Sequence, residues 1–514
     1  MSERHLVVVT GPGWGHVIPC VLIALKFAQR APNLQVTLAA FPDTYSKLDE
    51  EMSRRHRETS LEVVSRVQWL EIKNELETDS RTPYEMFFLG LMVPSNQAGN
   101  TIGNRLKVPP SLVIYDTAVE TIPTQSIVRG ISNEFNIPYA PCLYLAPVLS
   151  AGSLRLNGKT EHGGRYESFF ESLKENEDKG LSPSEAGRKA FAQMNGELLE
   201  TPDLPPMYDY ELHPGLYGRG FPARITPRVR AVLEARLSSD GFVTFGVEEI
   251  EPKSNELLRK TLAPMPLFAI GPQLDLQRWT EQSPKSRKGR SAAELGILEF
   301  LDKAQDSFGA KSTAYFCLGS QWWPEDRPEL IQYLVETLLE AKPALPFLVS
   351  ASAAGASLSE ELRSRVEASG RGMIVSWAPQ VAVLQHEAIR FFISHCGSGS
   401  TIEAIMAGVP IVAWPFTADQ PMWATIICRV YSAGVQLYQV NSGMKGRPLA
   451  VGGIVHETEE AIKEEMTSTW SIMRSSKYDE MRGQISKLRD LLLESTERGE
   501  TKKAMDSVVE TYLS

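Results

Sequence analysis

Residues 376–423, SWAPQVAVLQHEAIRFFISHCGSGSTIEAIMAGVPIVAWPFTADQPMW, constrain this chain more than any other stretch. Residues 391–395 are an apolar run of strand type, and the turn Cys396-Gly397-Ser398-Gly399-Ser400 leads from them into a helical pattern over 401–407. A strand, a glycine-rich turn and a helix in that order leave the first N–H groups of the helix unpaired and partly positive. A phosphate is favoured there, and Gly397 and Gly399 let it approach the main chain. His395, at the strand end, can hydrogen-bond the same anion. The competing reading is structural: Ser400 and Glu403 form an S-x-x-E capping box, and His395 is a packed strand residue. Taken alone, the turn leaves the two readings level.

The same strand–turn–helix unit opens the chain. Residues 5–10 read as a buried strand, followed by Gly11-Pro12-Gly13-Trp14-Gly15-His16 and an apolar helical pattern over 17–28. A dinucleotide fingerprint G-x-G-x-x-G needs its third glycine at position 16, where His16 stands, so it is not met. A histidine at such a turn lies at the carboxyl end of a sheet, where α/β folds place ligands, although a lone histidine is more often structural. Strands follow at 35–40, 67–72, 111–115 (ending in Asp116) and 139–145, with helical stretches between them, which predicts a parallel sheet. His16 and Asp116 are thus expected at the ends of strands in one sheet, within hydrogen-bond reach. A neutral imidazole held by a carboxylate is a general base with its orienter, a hydrolase triad without the serine.

Composition narrows the class. With 514 residues, 42% hydrophobic and 23% charged, the chain has room for two or three domains of ordinary soluble type. A net charge of −10 without a long basic run argues against nucleic acid or anionic membrane as a partner. Five cysteines, Cys20, Cys142, Cys317, Cys396 and Cys428, are scattered and odd in number, as reduced thiols are. No apolar run reaches the ~18 residues that span a bilayer, and no secretory signal is read at the start. A cytoplasmic monomer with no membrane span is expected. No D-x-D triplet and no zinc spacing occur, so neither metal nor cofactor is expected.

Residues 377–420 also resemble the forty-four-residue donor signature of the family 1 UDP-glycosyltransferases, the plant and fungal natural-product type of secondary metabolism. The matching elements are Trp377-Ala378-Pro379-Gln380, His395-Cys396-Gly397, Ser400-Thr401 with Glu403, Ala407-Gly408-Val409-Pro410, and Asp419-Gln420. The resemblance implies that Trp377 stacks on uracil, with Ala378 and Gln380 beside the base or ribose and Glu403 on ribose hydroxyls. It further implies that His395, Ser400 and the turn amides hold the pyrophosphate, and that Asp419 and Gln420 bind sugar hydroxyls. Trp377 as core and Asp419 as a helix cap are the bland alternatives. Where the family carries Trp-Asn, this chain has Ser398-Gly399, which leaves the identity of the sugar open.

Looser matches extend the resemblance over most of the chain. Gly15-His16 with Pro19 matches the family's early motif and makes His16 the base, with Asp116 behind it; Gly319-Ser320, ending a strand at 313–318, matches the loop beneath the pyrophosphate. Trp14, Met86, Phe87, Phe88 and Tyr144 are candidates for an apolar acceptor pocket, although the segment 84–93 is first of all core material. Residues 150–214 read as a helical excursion over the acceptor side, 228–250 as a helix and then a strand at 241–246.

The expected architecture is α/β, with two doubly wound Rossmann-like domains facing across a cleft, the GT-B fold. Residues 1–270 would bind the acceptor, 271–293 would link, 294–480 would bind the UDP-sugar, and helices in 481–514 would return to the first domain. The implied reaction is an inverting, metal-independent transfer of a hexose, with glucose foremost, from a UDP-sugar to a hydroxyl of a small lipophilic acceptor (phenolic, terpenoid or lipid). The rivals are a non-catalytic UDP-sugar sensor and an epimerase or hydrolase on the same fold.

Overall fold

The computed structural model describes residues 3–58, 61–73, 81–93, 108–119, 123–157, 164, 166–191, 195–215, 238–276, 279, 283–285, 289–353 and 355–514. In chain order its strands are β1 Arg4–Val9, β2 Leu34–Ala40, β3 Val67–Glu71, β4 Leu112–Asp116, β5 Cys142–Ala146, β6 Leu198–Leu199, β7 Met207–Tyr208, β8 Gly241–Thr244, β9 Leu267–Ala269, β10 Thr313–Cys317, β11 Phe347–Ser350, β12 Gly372–Val375, β13 Ile389–Ser394, β14 Ile411–Ala413 and β15 Gly434–Gln436. Two compact units contain them. The first takes Met1–Phe191, Ala223–Gln273 and Glu494–Ser514; the second takes Ala192–Pro222 and Leu274–Leu493.

The first unit is built on a parallel sheet in the order β3-β2-β1-β4-β5-β8-β9. Helices cover both faces of such a sheet, so its central strands are apolar throughout rather than alternating. In β1, Leu6 and Val8 join one apolar cluster with Val17, Val21 and Phe27 of the helix Trp14–Arg30. Val7 and Val9, pointing the other way, join a second cluster with residues of the helix Pro83–Met92. The end of the chain also belongs here. Met505, Val508 and Leu513 pack into the first cluster, and Glu249 accepts hydrogen bonds from the Glu500 N–H (3.0 Å) and the Ser495 hydroxyl (2.6 Å).

The second unit repeats the plan with a parallel sheet ordered β12-β11-β10-β13-β14-β15. One face is sealed by Phe316, Phe391, Trp414 and helix residues that include Trp470. The Trp470 ring stacks on Phe391 at 5.7 Å, and its indole N–H donates to Thr337 at 3.1 Å. In both sheets the strand order turns back at a central pair, β1 with β4 and β10 with β13. At such a switch point the chain leaves neighbouring strands toward opposite faces, and the loops beyond their carboxyl ends part to leave room for a ligand.

The compact units depart from the expected division in two places. Residues 192–222 go with the second unit, where β6 and β7 form an antiparallel pair, and the helix Lys477–Glu497 stays with the second unit as far as Leu493. The helix expected from 228 falls on residues 228–237, outside the described residues. Strands β14 and β15, only three residues each, have too few positions to show a period.

Trp470 is fully buried at the seam between the helix Glu459–Ile472 and the sheet. Trp470→Ala is expected to destabilise the second unit by about 3–5 kcal/mol, in the range of buried aromatic truncations. Urea denaturation followed by circular dichroism checks this, with Trp470→Phe expected to lose clearly less.

Candidate functional site

In the first unit the helix Trp14–Arg30 begins three residues before the periodic pattern does. Gly13, with φ of 95°, ends the approach from β1, and its carbonyl accepts from the N–H groups of His16 and Val17, both at 3.1 Å. His16 therefore sits in the first helical turn, not at a strand end as expected. Asp116 is the last residue of β4, and β1 pairs with β4 through Val9 and Tyr115, so the two turns lie side by side. The His16 Nδ1 and Asp116 Oδ1 are 2.8 Å apart. Asp116 is 1% exposed and the His16 side chain 33%. A carboxylate can only accept, which places the imidazole proton on Nδ1 and makes Nε2 the basic nitrogen.

The proposed acceptor residues fare differently. Met86, Phe87, Phe88 and Tyr144 are all buried in the cluster that carries Val7 and Val9. Tyr84 and Phe88 meet edge to face at 5.1 Å, as do Tyr115 and Tyr144 at 5.7 Å, and the Tyr144 hydroxyl is 2.5 Å from that of Thr117. These four are core contacts, because the capped helix Pro83–Met92 turns its large side chains onto the sheet. Trp14 is half-buried at the start of its helix.

In the second unit the loop after β10 carries Gly319 (φ 76°) and an exposed Ser320, next to the turn that follows β13. There Cys396 takes a left-handed φ of 62°, and the helix starts at Ser398 with Gly397 as its N-cap and no side-chain cap. This overturns the capping-box reading, since Ser400 lies inside the first turn. Its hydroxyl instead accepts from Gln380 Nε2 at 3.1 Å, and Glu403 Oε2 accepts from the same nitrogen at 2.8 Å. Tyr315 donates to Gln380 Oε1 at 3.4 Å. The Gln380 amide is thereby fixed at both ends and holds the Glu403 carboxylate in place.

His395 is enclosed by glycines. A Cβ on Gly319 would come within 2.8 Å of its ring, and one on Gly397 within 2.5 Å. Burial pushes its pKa down to about 4, so the imidazole is neutral near pH 7 and can donate a single N–H. Asp419 does act at a helix start, though not its own: its Oδ2 accepts from the Ser398 N–H at 2.7 Å. Gln420 is buried, and its Oε1 accepts from the N–H groups of Phe416 and Thr417 at 2.8 and 3.3 Å. Trp377 is 55% exposed, which excludes a core role and presents a flat apolar face, while Ala378 beside it is buried. Gly399 is exposed, and nothing lies within 4 Å of where its Cβ would be.

The second unit thus brings Gln380, His395, Gly397, Ser398, Ser400, Glu403 and Asp419 around one helix N-terminus. The family model for UDP-glucoronosyl and UDP-glucosyl transferases matches residues 306–459, which contain all of these. A UDP-glycosyltransferase of Hericium erinaceus, eriJ, is 34% identical over 281 residues, 52% of each chain; UDP-glycosyltransferase 87A2 of Arabidopsis thaliana is 24% identical over 443 residues, covering 84% of this chain and 82% of its own. The chain is similar, over residues 306–459, to the UDP-glucoronosyl and UDP-glucosyl transferase family. It spans about half the length of the fungal relative, 52%. Among solved structures, a UGT transferase of Siraitia grosvenorii aligns over 100% of both chains with a TM-score of 0.66 at 18% identity. A UGT of Medicago truncatula aligns over 99% of this chain and 98% of its own, with a TM-score of 0.63 at 20% identity. Those likenesses assign this chain the GT-B fold. No helix among its described residues is long and apolar enough to cross a membrane.

Sequence reasoning missed the contacts that hold the site. Tyr315 reads only as a strand residue, and Gly319 shows its role only once His395 is seen against it.

Two buried histidines set an acid limit on the stability of this chain. His395 in the second unit and His5 in the first both have pKa values lowered by burial to about 4, from an ordinary 6.5. Each contributes stability that is fully present above about pH 6.5 and is lost as pH falls toward 4, where the unfolded chain binds the proton first. The loss is expected at up to ~1.4 kcal/mol per pH unit for each histidine. Urea midpoints at pH 7.5, 6 and 5 check it; His395→Asn should flatten the slope for the second unit.

Proposed function

We propose that this chain transfers a hexose, glucose foremost, from a UDP-sugar to a hydroxyl of a small lipophilic acceptor, by direct displacement with inversion and without a metal. The observation that carries the reading is the His16–Asp116 hydrogen bond of 2.8 Å at the switch point of the first sheet. A protein that only senses a UDP-sugar needs no oriented base.

The chemistry follows from the parts. His16 Nε2 takes the proton of the acceptor hydroxyl as its oxygen attacks the anomeric carbon, and Asp116 stabilises the imidazolium that forms. The bond from the anomeric carbon to the pyrophosphate oxygen breaks on the opposite side, so an α-linked donor yields a β-glycoside. UDP leaves with the electron pair. Charge on the departing pyrophosphate is met by the Gly399 and Ser400 N–H groups in the first turn of the helix Ser398–Ala407 and by His395, which donates without bringing a charge of its own. Ser320 lies in the loop of the adjacent strand β10.

Trp377 offers its exposed face to the uracil, Gln380 and the Glu403 carboxylate take the ribose, and Asp419 with Gln420 faces the sugar. Solved relatives complexed with UDP and with UDP-glucose support the choice of donor. Ser398-Gly399 leaves this helix start without the Trp-Asn side chains of the plant pattern, so donor choice rests on Asp419, Gln420 and the backbone. Five free cysteines, four of them buried, fit a reducing compartment, and we place the enzyme in the cytoplasm.

Mass spectrometry of reactions with UDP-glucose, EDTA and a panel of phenolic, terpenoid and sterol-like alcohols tests the proposal. A hexose adduct that survives EDTA is expected, with the rate falling about 10²–10⁴-fold in His16→Ala. Proton NMR of the product should show a β-anomer. Hydrolysis of UDP-glucose without any adduct would favour the hydrolase; binding of UDP-glucose with no turnover across the panel would favour the sensor.

A further inference from the structure

Residues 195–215 stand far from the donor signature in sequence, yet they belong to the second unit and close on the loop that carries Asp419 and Gln420. Three of the hydrogen bonds at this junction involve residues 213–215. His213 Nδ1 lies 2.8 Å from the Thr417 hydroxyl, and both side chains are buried. The Gly215 N–H donates to the Phe416 carbonyl at 2.9 Å, and the Ser442 N–H donates to the Pro214 carbonyl at 3.0 Å. The approach at Gly215 is as close as a backbone allows: a Cβ there would come within 2.4 Å of the Phe416 ring and 2.9 Å of its Cα.

The loop it grips is bent. Ala418 holds a left-handed φ of 59°, a conformation that a non-glycine residue keeps only where its surroundings enforce it. Inside the loop, Gln420 Oε1 ties the Phe416 and Thr417 N–H groups; on its far side, Asp419 Oδ2 ties the Ser398 N–H. The His213–Thr417 contact is the third tie; with the Gly215–Phe416 hydrogen bond it comes from outside the donor signature, and it is the one made by a side chain. Without it, the segment from Thr417 through Ala418 can relax, and Asp419 moves relative to the helix start.

We infer that His213 is a positioning residue for the sugar end of the donor site: through Thr417 it holds the bend that aims Asp419 and Gln420, and so governs recognition of the hexose rather than of UDP. This rests on the reading of Asp419 and Gln420 as the sugar-binding pair. The uridine side of the site, Trp377, Gln380 and Glu403, makes none of the contacts named here, so the two ends of the donor separate experimentally.

The test is isothermal titration of UDP and of UDP-glucose into the full chain, for the wild type and for His213→Ala, His213→Gln and Thr417→Val, with KM and kcat for UDP-glucose measured alongside. His213→Ala and Thr417→Val are each expected to keep the UDP Kd within about twofold while weakening UDP-glucose binding roughly tenfold. His213→Gln, which can still reach the Thr417 hydroxyl, should recover most of the loss, and the double variant His213→Ala/Thr417→Val should be no worse than either single one. Retention of both affinities in His213→Ala overturns the proposal, as does an equal loss of both in Thr417→Val. A wild-type chain that binds neither ligand overturns the donor-site reading itself and this inference with it; one whose affinity for UDP-glucose is unchanged by Asp419→Ala overturns the sugar-binding role of the pair and, with it, the inference.

Discussion

A parallel sheet that winds outward in both directions from one pair of strands sends its chain to opposite faces at that pair, and the turns beyond the strand ends there are left open to a ligand. This chain has two such sheets, and the residues of the proposed chemistry are gathered at their switch points. In the first, β1 and β4 release His16 and Asp116 side by side. In the second, β10 and β13 release Gly319 and His395, and the helix start follows at once. The apolar strands fix the sheets, the sheets fix the switch points, and each switch point brings together residues distant in sequence.

Within the second unit the proposed donor site is already assembled by the protein's own hydrogen bonds. Gln380 links Ser400 and Glu403, Tyr315 holds Gln380, and Asp419 meets the Ser398 N–H. Groups locked this way lose little freedom when a substrate arrives, and dipoles already aimed at a developing charge need no reorganisation. The enclosure of His395 by two glycines belongs to the same economy. Burial keeps the ring neutral, which suits a hydrogen-bond donor beside a phosphate and would disfavour it as a cation.

Much of this was legible in the residues. The rhythm of apolar strands and helices shows two parallel α/β halves, and the spacing from Trp377 to Gln420 marks the donor signature. What escaped has physical reasons. Gly15 and the glycines after Cys396 weaken the helical pattern, so both functional helices start three residues earlier than periodicity suggests, and the apparent capping box at Ser400 dissolves. Met86, Phe87 and Phe88 look alike as pocket or core, because a run of large apolar side chains carries no mark of which way its helix faces. Residues 192–222 change units through contacts such as Gly215 with Phe416, about two hundred positions away, which local pattern cannot register.

The claim on which the chemistry turns is that Asp116 holds the His16 proton on Nδ1 and so leaves Nε2 basic. Nitrogen NMR of isotopically labelled histidine, with His16 assigned by its disappearance in a substituted chain, reads that tautomer directly. The account expects His16 at neutral pH to carry its proton on Nδ1, with an unprotonated Nε2, and expects Asp116→Asn to shift the population toward the other tautomer. A His16 protonated on Nε2 in the unaltered chain would contradict it.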